Sequence, residues 1–237
     1  KGPRPDPSHS AAFRPVMLAH PLNEADLEDY DPREFRAEWK WDGIRVQIVG
    51  ESGKLRLYTR TGDEIGAAFP DLIEGLELDA TLDGELLVMR DHVVAPFADL
   101  QKRLNRKTVS AKMMTSHPVH VRLYDILIRS GQDLRALPFD QRRRELETWF
   151  KAHSPAAMDL SDLVPFATWE DLATHRSTNL TTGVEGLMLK RGDSAYLPGR
   201  PKGPWFKWKR DPQLIDAALM YAQRGHGKRS SFYSDFT

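Results

Sequence analysis

The sequence contains no cysteine. This excludes disulfide bonds, thiolate metal sites and a cysteine nucleophile, and it fits a cytosolic or nuclear-type compartment. The sequence also lacks an apolar run long enough to span a membrane and an opening signal-peptide pattern, so we expect a soluble protein. The chain has no excess of charge of either sign, because 34 basic residues balance 34 acidic ones. Its global charge therefore gives no indication of a nucleic-acid partner.

The charges are nevertheless unevenly placed along the chain. Basic residues cluster at 102–112, 142–144, 200–210 and 224–229. A local basic strip can bind phosphates even on a neutral protein, because the field that acts on a ligand is local. Runs of like charge are more often solvated faces, and we expect this of Arg142–Arg144.

The stretch EWKWDGIR, residues 38–45, lies between two segments with strand character. Apolar and polar residues alternate over residues 35–39 and 44–49, which predicts two half-buried strands. Asp42-Gly43 between them predicts a hairpin turn in which Gly43 takes a positive φ. Lys40 would then end the first strand. Taken alone, the pattern fits a surface hairpin and a nucleophilic lysine about equally well.

The remaining pattern predicts a mixed α and β domain. With 237 residues and 40% hydrophobic content, the chain can form one large domain, or one domain plus a fragment. Alternation predicts further strands at 55–62, 81–88, 119–128, 183–190 and 205–210, and short turns between the first three strands favour an antiparallel sheet. A short helix is expected at 69–78, and amphipathic helices with a scaffolding role at 138–152 and 169–180.

Two strands carry residues that suit a functional site better than packing. Residues 82–88, LDGELLV, place a glycine and two carboxylates inside a strand pattern, which is costly unless they serve a site. Lys207 and Lys209 lie two residues apart, so they share a strand face and could share an anion such as a phosphate. Considered alone, Arg60 fits an exposed arginine and Tyr124 a core residue.

Six short sequence motifs, here called boxes, resemble those of a known superfamily and occur in the same order. They are EWKWDGIR, TRTG, LDGELLV, LYDIL, VEGLMLK and WFKWK, between residues 38 and 210. This set resembles the covalent nucleotidyltransferases, and within them the bacterial type of ATP-dependent DNA ligase. The segment FADLQKRLNRK, residues 97–107, is also similar to a DNA ligase rather than to an mRNA capping enzyme. The resemblance covers roughly residues 15–237.

The resemblance implies a role for each box. Lys40 would attack the α-phosphate of ATP and hold AMP as a phosphoramidate, and Lys207 and Lys209 would stabilise the charge that develops on that phosphate. Cations beside Lys40 would favour its neutral, nucleophilic form. Glu38 would recognise the adenine amino group, Tyr124 would stack on the ring and Met188 could cover its other face. The implied nucleotide-binding set is Glu38, Trp39, Arg45, Arg60, Glu85, Tyr124, Glu185 and Met188. The implied metal ligands are Glu185 and Glu85 for Mg²⁺ or Mn²⁺, and the implied DNA contacts are Arg200 and Arg45.

The resemblance also implies the fold and the partners. The fold would be α+β, a nucleotidyltransferase (ATP-grasp-like) domain of two antiparallel sheets flanked by helices, with the nucleotide in the cleft between them. We expect the adenylation domain to span residues 1–210, with a mobile tail over 1–14, and residues 211–237 to begin an OB-fold domain. The expected partners are ATP and nicked double-stranded DNA, with no membrane. The expected state is a cytoplasmic, nucleoid-associated monomer in a bacterium that serves repair, recombination or replication.

Two other readings of the sequence stay open. An RNA ligase or a capping-type guanylyltransferase would share the lysine and the lysine pair. A non-catalytic nucleic-acid-binding module would explain the basic strips, but it gives no reason for carboxylates at Glu38, Glu85 and Glu185.

Overall fold

The computed structural model describes residues 11–104, 106, 108–210, 221–224 and 233–236. Seven strands form the first sheet: β3 (Ile44–Glu51), β4 (Lys54–Thr59), β5 (Ala80–Arg90), β6 (Val93–Val94), β7 (Val119–Arg129), β8 (Gln132–Asp133) and β9 (Met158–Leu160). Its main path runs β4–β3–β5–β7–β8, with β6 paired to β5 and β9 to β7. All of these pairings are antiparallel except β7 with β9.

Five strands form the second sheet. They are β1 (His20–Pro21), β2 (Phe35–Trp41), β10 (Leu163–Val164), β11 (Val184–Arg191) and β12 (Trp205–Lys209), in the order β1–β12–β11–β2–β10. Only the short β1 runs parallel to its neighbour within this sheet. The prediction of an α+β domain with two mainly antiparallel sheets is confirmed.

The turn at Asp42-Gly43 joins the two sheets and is not a hairpin. β2 pairs with β10 and β11, whereas β3 pairs with β4 and β5, so the chain crosses from one sheet to the other just after Lys40. The expected positive φ at Gly43 is also wrong, since Gly43 is not among the positive-φ residues. Glycine is required there by space, because a Cβ would lie 2.5 Å from the carbonyl oxygen of Leu86 and 2.8 Å from Leu87 Cδ2.

Helices cover the sheets and complete two hydrophobic cores. The helices are α1 (Pro70–Ile73), α2 (Phe97–Gln101), α3 (Ala111–Ser116), α4 (Phe139–His153) and α5 (Trp169–Thr178). From α4, Leu146 and Trp149 pack into the core of the first sheet. From α5, Leu172 packs into that of the second sheet. The two longer helices are therefore the scaffold that the sequence predicts, whereas α1 is shorter than expected because Gly75 follows it with φ +76°.

The basic run Arg142–Arg144 is not the expected solvated face. Arg142 and Arg143 are buried and only Arg144 is exposed. Arg142 and Arg143 are each three or four residues away from the buried Phe139 on one side and from the buried Leu146 on the other. At this helical spacing, both arginines belong to the buried stripe of α4. Each is paired with a carboxylate, which is how a charged side chain is tolerated inside a protein.

The first described residues pack on the first sheet. The Tyr58 hydroxyl donates to the Ala11 carbonyl at 2.8 Å, and the Arg14 amide donates to Gln47 Oε1 at 2.6 Å. Residues 11–14 thus differ from the mobile tail expected over 1–14, and residues 1–10 lie outside the described part of the chain. Most of residues 211–237, which we expect to begin an OB-fold domain, also lies outside it, although β13 (Ala222–Arg224) and β14 (Tyr233–Phe236) form an antiparallel pair.

Candidate active site

A cavity of about 520 Å³ lies between the two sheets. Residues of β2, β11 and β12 line one side, and residues of β3, β5 and β7 line the other. Eleven of the twelve site residues expected from the sequence line it: Glu38, Trp39, Lys40, Arg45, Arg60, Glu85, Tyr124, Met188, Arg200, Lys207 and Lys209. The twelfth, Glu185, bonds directly to Lys40. The boxes that are distant in sequence therefore meet at one place.

Lys40 lies at one end of the cavity, held by a carboxylate. Its Nζ donates to Glu185 Oε2 at 2.7 Å, and Lys209 Nζ lies 3.1 Å from the same oxygen. Burial acts to raise the pKa of Glu185, but hydrogen bonds and charge from Lys40 and Lys209 lower it overall. Burial, together with a hydrogen bond to Glu185, raises the pKa of the neighbouring Asp42. Two lysines and two carboxyl groups thus share one small region.

The two lysines of β12 face the cavity together, as the alternation predicts. Lys207 pairs with Met188 and Lys209 with Gly186 in the β11–β12 ladder. Burial lowers the pKa of Lys207, and the neighbouring cations Arg200, Lys209 and Lys40 lower it further. This end of the cavity is therefore a cluster of positive charge suited to an anion.

The opposite end of the β2 face carries a buried carboxylate. Glu38 is 2% exposed, and its Oε2 contacts the ammonium of Lys190. That ammonium lies among three aromatic rings, with centroid distances of 4.6 Å to Tyr124, 4.9 Å to Phe139 and 4.8 Å to Trp205. Glu38, Tyr124, Met188 and Lys190 all line the cavity, so this end presents an aromatic face, an apolar face and an acceptor. Such a set can hold a flat heteroaromatic ring.

Arg45 lines the cavity, and most of its donors are already used. Its Nε donates to Asp83 Oδ1 at 3.0 Å, Nη1 to the Met17 carbonyl at 2.6 Å and Nη2 to the Tyr196 hydroxyl at 2.9 Å. Its Nη2 also bonds to Asp83 Oδ2. An arginine has five N–H donors, so about one remains for a ligand. This arrangement leaves little capacity for the DNA contact expected of Arg45.

Glu85 lies beside Arg45, and its pKa is raised. Burial raises the pKa of Glu85 to about 8, against the opposing effect of Lys40 and Arg45. Its carboxyl group therefore holds a proton at neutral pH and can donate as well as accept a hydrogen bond. Arg60 and Arg200 are exposed and lie at the rim, where His20 Nε2 is 3.0 Å from the Arg200 carbonyl.

Sequence reasoning missed three residues that shape this site: Lys190, Arg143 and Tyr196. Lys190 and Arg143 hold Glu38, and Tyr196 holds Arg45 together with Asp83, one of the two carboxylates that the sequence pattern marked. Lys190 could have been found, because it lies two residues after Met188 and so faces the same side of β11. Arg143 follows from the helical stripe of α4. Tyr196 lies outside the strands and helices, and no sequence pattern marks it.

Two features are absent from the described residues. They contain no group of three or more histidine, aspartate or glutamate side chains arranged to hold a metal ion. None of the helices they form is both long enough and apolar enough to cross a membrane.

Residues 16–209 match the family model described as the ATP dependent DNA ligase domain. The chain belongs to this family. The matched range contains all six boxes and all twelve candidate site residues, and the expected identity, an adenylation domain of an ATP-dependent DNA ligase, is confirmed. The fold, with its cleft between two sheets, is that of a ligase nucleotidyltransferase domain.

Curated relatives and solved structures agree with this assignment. The chain is 33% identical to a probable DNA ligase of Koribacter versatilis (strain Ellin345), over 95% of this chain and 44% of the relative. It is 32% identical to a DNA ligase of Methanocorpusculum labreanum, over 96% of this chain and 42% of the relative. The ligase domain thus spans less than half the length of these relatives.

Among solved structures, a mycobacterial DNA ligase D complexed with ATP and MES is similar to this ligase domain. The TM-score is 0.64 at 29% identity, over 82% of this chain and 60% of that one. A Lig E DNA ligase shares the fold with a TM-score of 0.66 at 21% identity, over 94% of this chain and 79% of that one.

Proposed function

We propose that this domain carries out the first step of DNA ligation, in which Lys40 becomes covalently attached to AMP. The observation that carries the proposal is that one cavity holds Lys40 and the lysine pair at its cationic end and a ring-binding set at its other end. Glu38 is two residues before Lys40 on β2, so both face the cavity from one strand. A nucleoside triphosphate placed with its base at Glu38 brings its phosphates to Lys40, Lys207 and Lys209.

In the proposed step, Lys40 Nζ attacks the α-phosphorus of ATP. A nitrogen–phosphorus bond forms, the bond to the β-phosphate oxygen breaks, and pyrophosphate leaves. Lys40 reacts as the neutral amine, so its proton passes to the solvent, and its hydrogen bond to Glu185 Oε2 positions the nitrogen. Lys207 and Lys209 stabilise the negative charge on the α-phosphate as the bonds exchange. The chemistry is then largely positioning and charge stabilisation.

At the other end, the base is recognised by its edge and its faces. Glu38 accepts a hydrogen bond from the adenine amino group, which guanine lacks at that position. Tyr124 stacks on one face of the ring and Met188 covers the other. Glu85, protonated at neutral pH, is suited to a ribose hydroxyl, and Arg60 at the rim to the sugar or a phosphate.

A divalent cation, Mg²⁺ or Mn²⁺, fits the Glu185 and Asp42 pair. Mg²⁺ usually binds one or two carboxylates together with waters and substrate phosphates, so a cluster of three protein ligands is not required. When bound, it would neutralise part of the triphosphate charge. Burial raises the pKa of Glu85 to about 8, so a cation that binds Glu85 would have to displace its proton.

The later steps are proposed from the family alone. AMP would pass from Lys40 to the 5′-phosphate of a nick in double-stranded DNA, with Arg200 at the rim as a DNA contact. Sealing of the nick would then serve repair, recombination or replication in the cytoplasm, close to the nucleoid. We propose that the domain acts as a monomer.

Labelling with α-phosphate-labelled ATP and, separately, GTP tests this function. We expect covalent, acid-labile label from ATP, no label in Lys40→Ala, and normal labelling in Lys54→Ala, which changes an exposed lysine. Label from GTP alone would indicate a guanylyltransferase instead. Binding of nicked DNA with no binding of either nucleotide would indicate the non-catalytic module.

A further inference from the structure

Two neighbouring arginines of helix α4 contact residues at the end of the cavity that would hold the base. Arg142 bonds to Asp125, the residue after the ring-stacking Tyr124, with Nε 2.8 Å from Oδ1. Arg143 approaches Glu38, with Nη1 3.4 Å from Oε1. The helix therefore supports, from behind, both groups that would hold the base.

We infer that Arg143 is a positioning residue for Glu38 and, through it, a determinant of which nucleobase the site accepts. The inference rests on the proposed function, in which Glu38 faces the base. Arg143 lies outside the cavity lining, so it acts through Glu38 and not on the nucleotide.

The contacts of Arg143 place it where it can fix a carboxylate. Nη1 donates to the Ser161 carbonyl at 2.6 Å as well as approaching Glu38, and Nε donates to Glu147 Oε1 at 2.6 Å. The Arg143 side chain is 9% exposed. Ser161 is buried and lines the cavity. One guanidinium thus ties the Glu38 carboxylate to the backbone beside the base.

Glu38 needs this support because its last torsion is soft. The χ3 angle of a glutamate is broad and roughly two-fold, so the side chain does not fix its own carboxylate plane. Lys190 holds Oε2 alone, and a single ammonium is a point charge that leaves the plane free to turn. With Arg143 on Oε1 and Lys190 on Oε2, each oxygen has a cation and the plane is defined.

A fixed carboxylate plane discriminates between the two purines. Adenine presents an amino donor at position 6 and guanine an oxygen acceptor. An acceptor held at this position bonds to the amino group and repels the oxygen. If the carboxylate can turn away, the bond to adenine weakens and the repulsion of guanine is relieved. Loss of Arg143 should therefore change the ratio of the two affinities more than either affinity by itself.

The test is equilibrium binding to the 237-residue chain in the presence of EDTA, which withholds the divalent cation and so keeps Lys40 from reacting with the α-phosphate during the titration. Dissociation constants for ATP, GTP and purine riboside triphosphate, which lacks the 6-amino group, are measured by calorimetric titration. In Arg143→Met we expect the preference for ATP over each of the other two to fall about tenfold, the size of one charge-assisted hydrogen bond. Arg143→Lys should give an intermediate ratio, because it restores the charge without the fork.

Arg144→Met is the matched control, since it removes the exposed arginine next along α4. It should leave the ratio at the wild-type value. Circular dichroism and thermal unfolding establish that each variant is folded. If Arg143→Met does not fold, Arg143→Lys carries the test by the same ratio.

Two outcomes would overturn the inference. One is an unchanged ratio in the folded Arg143 variants, and the other is an equal weakening of all three nucleotides, which would indicate a purely structural role. Glu38→Gln, measured in parallel, separates the role of Arg143 from the recognition of adenine by Glu38. If Glu38→Gln changes the ratio and the Arg143 variants do not, only the role of Arg143 fails. If Glu38→Gln leaves the ratio unchanged, the proposed recognition of adenine by Glu38 fails as well.

Discussion

Lys40 on β2 donates a 2.7 Å hydrogen bond to Glu185 on β11, a residue 145 positions later in the chain. The bond is possible because β2 and β11 are neighbours in the second sheet, with Gly186 opposite Lys40. It joins the first of the six sequence boxes to the fifth. Each box, taken in order along the chain, therefore places its side chains in the same cavity.

Gly43 should be intolerant of any side chain because of the space around it. In Gly43→Ala the new Cβ would meet the Leu86 carbonyl, and we expect a loss of about 1–3 kcal/mol in the free energy of unfolding. Because Gly43 joins the two sheets beside Lys40, adduct formation with ATP should fall as well. Urea denaturation and labelling measure the two effects.

Gly53→Ala is the control for this prediction. Gly53 has φ +72° but open space around its Cα, so alanine there costs about 1 kcal/mol through backbone strain alone. Labelling of Gly53→Ala should stay normal. Equal losses of labelling in both variants would show that the space at Gly43 is not what matters.

Arg142 should be far more important for stability than Arg144. Arg142 and Asp125 are both fully buried and paired, so Arg142→Met leaves an uncompensated carboxylate in the core. We expect a loss of about 3–5 kcal/mol for Arg142→Met and less than about 0.5 kcal/mol for Arg144→Met, measured by urea denaturation. A small effect of Arg142→Met would mean that Asp125 does not depend on this pair.

Glu85 should make the stability of the nucleotide-free domain depend on pH. The pKa of Glu85 is raised to about 8 in the folded state, so between the ordinary carboxyl range and pH 8 the folded protein binds more protons than the unfolded chain. Its contribution to stability is then lost progressively as pH rises through this window. Glu85→Gln removes the titration and should stabilise the domain increasingly with pH.

The expected gain for Glu85→Gln is on the order of 2 kcal/mol near pH 8 and close to zero near pH 5. A shift of one pKa unit corresponds to about 1.4 kcal/mol. The expected gain is smaller than the whole pKa shift of Glu85 would give, because Glu85 keeps some contact with solvent. Urea denaturation at pH 5, 7 and 9 measures it, with the exposed Glu77→Gln as background. A gain that is the same at all three pH values would contradict the raised pKa.

Much of the fold was available from the sequence because periodicity reports burial within a strand or helix. It predicted the strands that carry Lys40, Tyr124 and the pair Lys207 and Lys209, and it predicted α4. Periodicity does not report which strand is the partner. Two adjacent strand patterns around Asp42-Gly43 were therefore interpreted as a hairpin, although the strands belong to different sheets.

The candidate site was predictable where one box supplies one side chain to the cavity. The supporting residues were harder to predict, because a charged residue in a basic run is usually exposed. Arg142 and Arg143 are buried only because Asp125 and Glu38, on other elements, face them. Such partnerships depend on tertiary packing, and the local sequence of α4 contains only the stripe that permits them.

The buried pairing of Glu38 also changes what its removal should do. Lys190, itself 2% exposed, and Arg143 would lose their carboxylate in Glu38→Ala. Uncompensated buried charge is destabilising, so a stability loss should accompany the loss of ATP selectivity expected from the sequence. Glu38→Gln keeps an oxygen acceptor and is the better variant for nucleotide binding.

Peptide mass spectrometry of the protein after incubation with ATP and Mg²⁺ tests the central claim most directly. The account predicts an added mass of one AMP on the peptide that contains Lys40, and no such mass on peptides that contain Lys207 or Lys209. Lys40→Ala should carry no AMP on any peptide while keeping the wild-type circular dichroism spectrum. AMP found on Lys207 or Lys209, or on the folded Lys40→Ala variant, would contradict the assignment of Lys40 as the nucleophile.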